Sequence, residues 1–328
     1  MRPSFSTENA GGKLKLSRRA LLVGLFLWTL LSAFFFFRGA SGRHSKRNSV
    51  SDSSGPLTGR ISCSSTLIET VQNISQSFML KAQESKSENL LPPIIHQVWL
   101  GDKPFPETFL QSQKSFIEQN PDFYYALWRD DDVNCLIERF FPALVPIWTK
   151  LPRTILRADL LRYMIIFTFG GFYSDTDTLC LRPIRSWPKV PDARAVVGLE
   201  AEFSHLPNWR DMIVSRQIQV SVWTLASSPL HPLYAMAIQG IFINSTRMSK
   251  DEIGWTDVME MTGPGYFTDV VLRYMQSFGY GFVNLSGMTK PTLFNDLLVQ
   301  PLHVFRWEDR GPKEEGCIRH LFGQSWRK

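Results

Sequence analysis

A paired glycine, Gly170-Gly171, sits inside the stretch RTILRADLLRYMIIFTFGGFYSDTDTLCLRP (Arg153–Pro183) and dictates what surrounds it. Glycine alone enters left-handed backbone without a Cβ penalty, so the pair ends any helix that precedes it. Upstream, Ile155, Leu156, Leu160, Leu161, Met164, Ile165 and Phe167 cover much of the surface of a helix running from Thr154 to Thr168. Arg157, Asp159 and Arg162 interrupt that apolar cover. Asp159 and Arg162 are three apart, so on a helix they share one face and reach a common ligand. Downstream, Phe172-Tyr173 reads as a short buried strand that delivers Ser174-Asp175-Thr176-Asp177.

The spacing of the two aspartates carries chemistry. In extended backbone, residues two apart point the same way, so Asp175 and Asp177 converge on one hard cation. Two carboxylates alone make a weak site, but the oxygens of a diphosphate complete the shell that Mg2+ or Mn2+ prefers. A metal there neutralises charge building on a nucleoside diphosphate leaving group. The bland alternative is a solvated acidic turn; the strand, the glycine break and the Asp/Arg helix face weigh against it.

The remaining elements alternate. Ile94–Trp99 is a β-rich run, Glu107–Asn120 is helical, Phe123–Trp128 is a second strand, and Asp130-Asp131-Asp132 leads a helix through Phe141. Leu179–Ile184 is expected to continue as a strand beside the aspartates, followed by strands at Ala195–Glu200 and Val214–Leu225 and helices at His231–Phe242 and Asp269–Ser277. From Pro92 onward this pattern predicts an α/β domain with a mainly parallel sheet, its ligand beyond the carboxyl ends of the strands. Thr262-Gly263-Pro264-Gly265 is a turn whose glycines permit close backbone approach at a helix start, where a ligand could meet the N–H groups.

Charge divides the chain. The first 60 residues hold ten of the 36 Lys/Arg and two of the 30 Asp/Glu, leaving 26 basic against 28 acidic residues elsewhere. The globular part is thus near neutral, which argues against nucleic acid as a partner. Ala20–Phe37 is an uncharged apolar run of 18 residues, at the short end of a membrane span. It reads as a signal anchor rather than a cleaved leader, with residues 1–19 as a cytoplasmic tail, 38–91 as a stem and 92–328 as the catalytic domain. Within the stem, Ile61–Ala82 has the pattern of a weak amphipathic helix. Sequons at Asn73, Asn244 and Asn284 and an even count of four cysteines suit an oxidising lumen. Cys63, Cys135, Cys180 and Cys317 allow three full pairings and have no zinc-like spacing.

RADLLRY…GGFYSDTDTLCLRPI resembles the sugar-binding D-x-D region of glycosyltransferase family 32. The resemblance runs from about Pro92 to the C-terminus. It takes in IIHQVWLG, the W-x-D-D-D segment, GLEAE, TGPG and an H-x-x-x-G-S-W-like tail, from which Gln324 departs as an insertion. It implies a GT-A fold behind one transmembrane helix, in a single-pass type II protein of the Golgi membrane with a luminal catalytic domain. The implied activity is retaining transfer of mannose from GDP-mannose to an N-glycan or glycoprotein acceptor, in alpha-1,6 linkage, at outer-chain initiation. Asp175, Asp177 and His320 would hold Mn2+ or Mg2+. Asp159 and Arg162 would read the sugar, Arg157 would supply a second cation, Trp99 would stack on the base, and Trp326 would touch the leaving group. Glu200 and Glu202 could face the acceptor, with Gln217 and Trp223 near the sugar; His96 reads as a structural hydrogen-bonder. A sphingolipid mannosyltransferase, a UDP-galactose-dependent alpha-1,4-galactosyltransferase, a non-catalytic nucleotide-sugar-binding subunit of a transferase complex, and a metal-dependent hydrolase are the rival readings.

Overall fold

The computed structural model describes residues 63–245, 253–306 and 316–323. Ala20–Phe37 and Trp326 lie outside them, and among the described residues no helix is long and apolar enough to cross a membrane.

An eight-stranded mixed sheet runs in the order β2-β1-β3-β7-β5-β9-β8, with β6 added beside β5. Its strands are β1 (Ile94–Val98), β2 (Tyr124–Trp128), β3 (Gly171–Ser174), β5 (Ala195–Glu202), β6 (Ile218–Val220), β7 (Thr224–Ser227), β8 (Thr292–Phe294) and β9 (Leu297–Gln300). β1 pairs in parallel with β2 and β3, and β5 with β9; β6, β7 and β8 run the other way. The fold is therefore α/β with a mostly parallel sheet, as the alternating pattern predicts. β4 (Thr178–Cys180) differs from expectation. It leaves the sheet and, among the described residues, pairs with β10 (Ile318–His320) alone, because Thr178 turns back to bond the Asp175 carbonyl through both its N–H (3.2 Å) and its hydroxyl (2.6 Å).

Four helices flank the first strands: α1 (Thr66–Glu84), α2 (Glu107–Gln119), α3 (Asp130–Phe140) and α4 (Thr154–Phe169). α4 is the central one, buried on most sides and packed against α5 (Pro232–Ser245), β3 and β7. Two glycines end it, at φ +64 for Gly170 and +89 for Gly171. Sterics reinforce the choice. A Cβ at Gly170 would lie 2.7 Å from the Ser227 carbonyl, and one at Gly171 would lie 2.7 Å from that of Ile94. His96 sits beneath this break. Trp128 donates to its Nδ1 (3.1 Å), which puts the ring proton on Nε2, facing the Gly170 carbonyl at 2.9 Å. Burial pushes its pKa down to about 4, so it stays neutral.

The stretch Thr66–Glu84, read as part of a stem, is a helix docked on this body. Ile68, Val71 and Ala82 are buried, and Ser65 both caps the helix at Ile68 N (3.2 Å) and donates to Asp132 Oδ1 (2.6 Å). Of the three pairings open to the cysteines, the structure forms Cys63–Cys135, and Cys180 and Cys317 are buried thiols outside that disulfide. Two more helices, α6 (Trp255–Met261) and α7 (Pro264–Gln276), meet at the TGPG turn and close the far side of α4.

Candidate active site

Asp175 emerges where β3 ends. Its N–H donates to the Trp223 carbonyl (2.8 Å), and its carbonyl accepts from Gln97 Nε2 (3.1 Å) as well as from Thr178. The aspartates therefore stand on a tight turn rather than in extended backbone, yet they still converge. Ligand atoms of Asp175, Asp177 and His320 all lie within 4.8 Å of one another. His320 arrives on β10 and packs on Trp223, with ring centroids 4.4 Å apart. The C-terminal segment is stitched to Asp177 itself. Leu321 N–H donates to its carbonyl (2.7 Å), Gly323 N–H to Oδ2 (2.9 Å), and His320 Nε2 lies 3.5 Å from Oδ1.

Behind the turn lies a buried ion network. Arg162, 2% exposed, places Nη2 2.9 Å from Asp159 Oδ1 and 3.3 Å from Asp175 Oδ1, and donates Nη1–H to the Val222 carbonyl at 2.8 Å. Its Nε has no hydrogen-bond partner among the described residues. Tyr173 donates to Asp175 Oδ1 at 2.7 Å, and Thr262 donates to Asp159 Oδ2 at 2.7 Å. Burial raises the Asp159 pKa to about 6 against the pull of Arg162 and Thr262, so it remains a carboxylate at neutral pH. Burial likewise pushes Asp177 up, opposed by His320, and pushes His320 down toward the neutral imidazole. Asp159 and Asp175 thus share one guanidinium while Asp177 faces a His320 pushed toward the neutral form, so the acids outnumber the cations paired with them.

A divalent cation would restore that balance, and the two carboxylates of the turn fit it as they stand. His320 fits on one condition. Phe322 N–H donates to Nδ1 (2.9 Å), which leaves the ring proton on Nε2, the atom turned toward Asp177. His320 offers Nε2 to a cation only after that proton moves to Nδ1 and the Phe322 contact is released. Phe322 itself sits at φ +50, a region that a side chain with Cβ occupies at a cost.

The remaining candidates divide. Trp99 follows β1 at the same carboxyl edge as Asp175, half-buried between Phe105 and Phe109 with its indole N–H on the Lys103 carbonyl (2.9 Å). Arg157 is not brought to the cluster; its guanidinium lies 5.9 Å from the Trp148 ring centroid, because position 157 falls on the opposite face of α4 from Asp159 and Arg162. Trp326 lies outside the described residues. Glu200 accepts from Gln219 Nε2 (2.9 Å), and burial lifts its pKa to about 7. Glu202 and Gln217 hold the loop after β5 through Ser204 and Phe203. Two of the three leading aspartates of α3 are structural: Asp130 accepts from Gly101 N–H (2.8 Å) and Asp132 from Ser65.

Sequence reasoning missed Thr262, Gln97 and Tyr173 as partners of the acids. Thr262 is 103 residues from Asp159, a pairing that no local periodicity reveals. The TGPG glycines face protein rather than ligand: a Cβ at Gly265 would meet Ser215 Cβ at 2.7 Å, and one at Gly263 the Val258 carbonyl at 3.0 Å.

A family model described as a glycosyltransferase sugar-binding region containing a DXD motif matches residues 106–193. The initiation-specific alpha-1,6-mannosyltransferase of Candida albicans is 31% identical over 294 residues, covering 76% of this chain and 75% of that one. The chain belongs to glycosyltransferase family 32. As a family-32 glycosyltransferase it is also similar to the initiation-specific alpha-1,6-mannosyltransferase of Schizosaccharomyces pombe, 27% identical over 256 residues and spanning 70% of this chain and 63% of the relative. Inositol phosphoceramide mannosyltransferase 3 of the same yeast is 36% identical over 100 residues, 30% of this chain and 28% of its own. Among solved structures, the PaToxG glycosyltransferase aligns with a TM-score of 0.43 at 16% identity, over 64% of this chain and 82% of that one.

Proposed function

We propose that this family-32 glycosyltransferase, with a GT-A fold, is a retaining alpha-mannosyltransferase. It takes mannose from GDP-mannose to an N-glycan acceptor, in alpha-1,6 linkage at outer-chain initiation. The observation that supports it most is the convergence of Asp175, Asp177 and His320 beside a buried Asp159–Arg162 pair, in a chain 31% identical to an enzyme named for that activity. Asp175 and Asp177 hold the cation, preferentially Mn2+ because the third group is an imidazole. Bound there, it would neutralise charge on the departing nucleoside diphosphate. Asp159 accepts hydrogen bonds from hydroxyls of the transferred sugar, and Arg162 donates to a sugar hydroxyl or phosphate oxygen. Trp99 lies against the base, and Trp326 meets the leaving group. In the cell the protein is a type II Golgi membrane protein, anchored through Ala20–Phe37 with residues 92–328 in the lumen.

The test is nucleoside diphosphate release by the full-length, detergent-solubilised chain with Mn2+ and a panel of nucleotide sugars, with and without a high-mannose glycan. GDP-mannose turnover that requires the glycan, and that falls about 100-fold or more in Asp175→Ala and Asp177→Ala, is the expected result. Turnover with UDP-galactose alone would refute the donor. The shorter match to an inositol phosphoceramide mannosyltransferase gives a second reading, in which the acceptor is that lipid; it predicts GDP-mannose turnover on the lipid and none on the glycan.

A further inference from the structure

Asp159 is 2% exposed, and its two oxygens are divided between two donors: Oδ1 lies 2.9 Å from Arg162 Nη2, and Oδ2 accepts the Thr262 hydroxyl at 2.7 Å. Thr262, fully buried, is tied to the same helix a second time, because its carbonyl accepts the Tyr163 hydroxyl at 2.8 Å. Tyr163 lies one turn beyond Asp159 on α4 and stacks on Phe267 of α7, ring centroids 5.0 Å apart. The junction of α6 and α7 is thus clamped onto α4 at two points one helical turn apart. Within the junction, a Cβ at Gly265 would meet Ser215 Cβ at 2.7 Å and one at Gly263 would crowd the Val258 carbonyl at 3.0 Å, so the glycines let α6 and α7 pack closely on each other.

We propose that Thr262 is a positioning residue for recognition of the transferred sugar, acting through Asp159 and Arg162. The inference rests on the reading that these two side chains face the hexosyl group of the donor. A carboxylate with only Arg162 as partner can rotate to present both oxygens to the guanidinium. The Thr262 hydroxyl prevents this by holding Oδ2 on the opposite side. Arg162 consequently keeps one Nη2 bridging Asp159 and Asp175, with Nη1 on the Val222 carbonyl. Removing the hydroxyl leaves a buried carboxylate oxygen without its donor, and the pair rearranges to compensate. Asp175 keeps its Tyr173 hydrogen bond, so the nucleotide half of the donor loses less than the sugar half, which Asp159 faces directly.

Three substitutions test the idea: Thr262→Val, which keeps the shape and removes the hydroxyl; Thr262→Ser, which keeps the hydroxyl; and Thr262→Ala. Calorimetric titration of the full-length chain with GDP and with GDP-mannose, both in Mn2+, separates the nucleotide from the sugar. For Thr262→Val and Thr262→Ala, GDP affinity within about twofold of wild type and GDP-mannose affinity reduced on the order of 10- to 100-fold are expected. Thr262→Ser should restore most of the loss. Equal weakening of GDP and GDP-mannose in Thr262→Val, unchanged affinity for both, or a Ser variant as impaired as Val would each overturn the proposal. The failure of the donor assignment looks different: wild type then gains nothing from the mannosyl group. The same titrations are in that event made with the nucleotide sugar that wild type turns over and its own nucleotide, where the same inequality must hold.

Discussion

Both ends of the described chain are laid over the same body, but they are fastened by different means. At the N-terminal end, α1 is secured by the Cys63–Cys135 crosslink, by Ser65 on Asp132, by Gln72 on Arg139 (3.3 Å) and by a buried apolar stripe. Those partners lie on α3 and around it, away from the Asp175 turn. The C-terminal end, Cys317–Gly323, has no crosslink among the described residues. It is secured by three paired residues on β4 and by the backbone and carboxylate of Asp177. A segment attached through groups remote from the site adds stability and leaves affinity alone. A segment attached through an acid that would bind the cation has its docking linked thermodynamically to the ligand. The difference separates a scaffold from a ligand-linked segment.

The largest effect should come from the scaffold side. Cys63 and Cys135 are 72 residues apart, and opening a loop of that length through Cys63→Ser/Cys135→Ser should cost about 4 kcal/mol by chain entropy. Thermal unfolding would then fall by on the order of 10 °C. Mn2+ and donor affinity of the folded protein should stay at the wild-type level. A variant that remains folded but binds Mn2+ more weakly would break the contrast, because it would couple α1 to the site.

On the other side, His320→Ala should reverse the pattern. Mn2+ affinity measured by titration should drop about 10- to 100-fold, the loss typical of disturbing a group that supports a metal centre. Unfolding without metal should shift little. Unchanged Mn2+ affinity would mean that the ring keeps its proton on Nε2 and serves Asp177 only as a donor.

The smallest effect is one of pH. Glu200 lies under the C-terminal side, where Arg306 Nη1 donates to its carbonyl at 2.7 Å. Burial raises its pKa from 4.5 to about 7, so the folded state binds a proton more tightly than the unfolded state does. Its contribution to stability is fully present below about pH 4.5 and is lost as pH rises through about 7. Urea midpoints taken from pH 4 to 8 should therefore decline less in Glu200→Gln than in wild type. Parallel curves would show that Glu200 does not titrate in this window.

Much of the fold is legible in the residues because its signals are local. The apolar cover of α4, the glycine pair that stops it, the β-rich run at Ile94 and the capping aspartates of α3 each act within a few positions, and the elements form within one or two residues of where they are expected. Three elements depart from expectation: β4 leaves the sheet, α7 begins at Pro264 rather than Asp269, and Val214–Leu225 splits into β6 and β7, because the carbonyls of Val222 and Trp223 between them serve Arg162 and Asp175. Asp159, Arg162, Asp175 and Asp177 are legible for the same reason, since helical spacing and chain proximity bring them together.

The sequence by itself thus determined the α/β pattern, the helix break and the acids at its end, all consequences of backbone sterics and short-range periodicity. Tertiary structure alone decided which cysteines pair, that His320 reaches the aspartates from the other end of the chain, and that Thr262 steadies Asp159. These are contacts between residues dozens to more than a hundred positions apart. Such contacts follow from how the elements pack, and no spacing within one element encodes them.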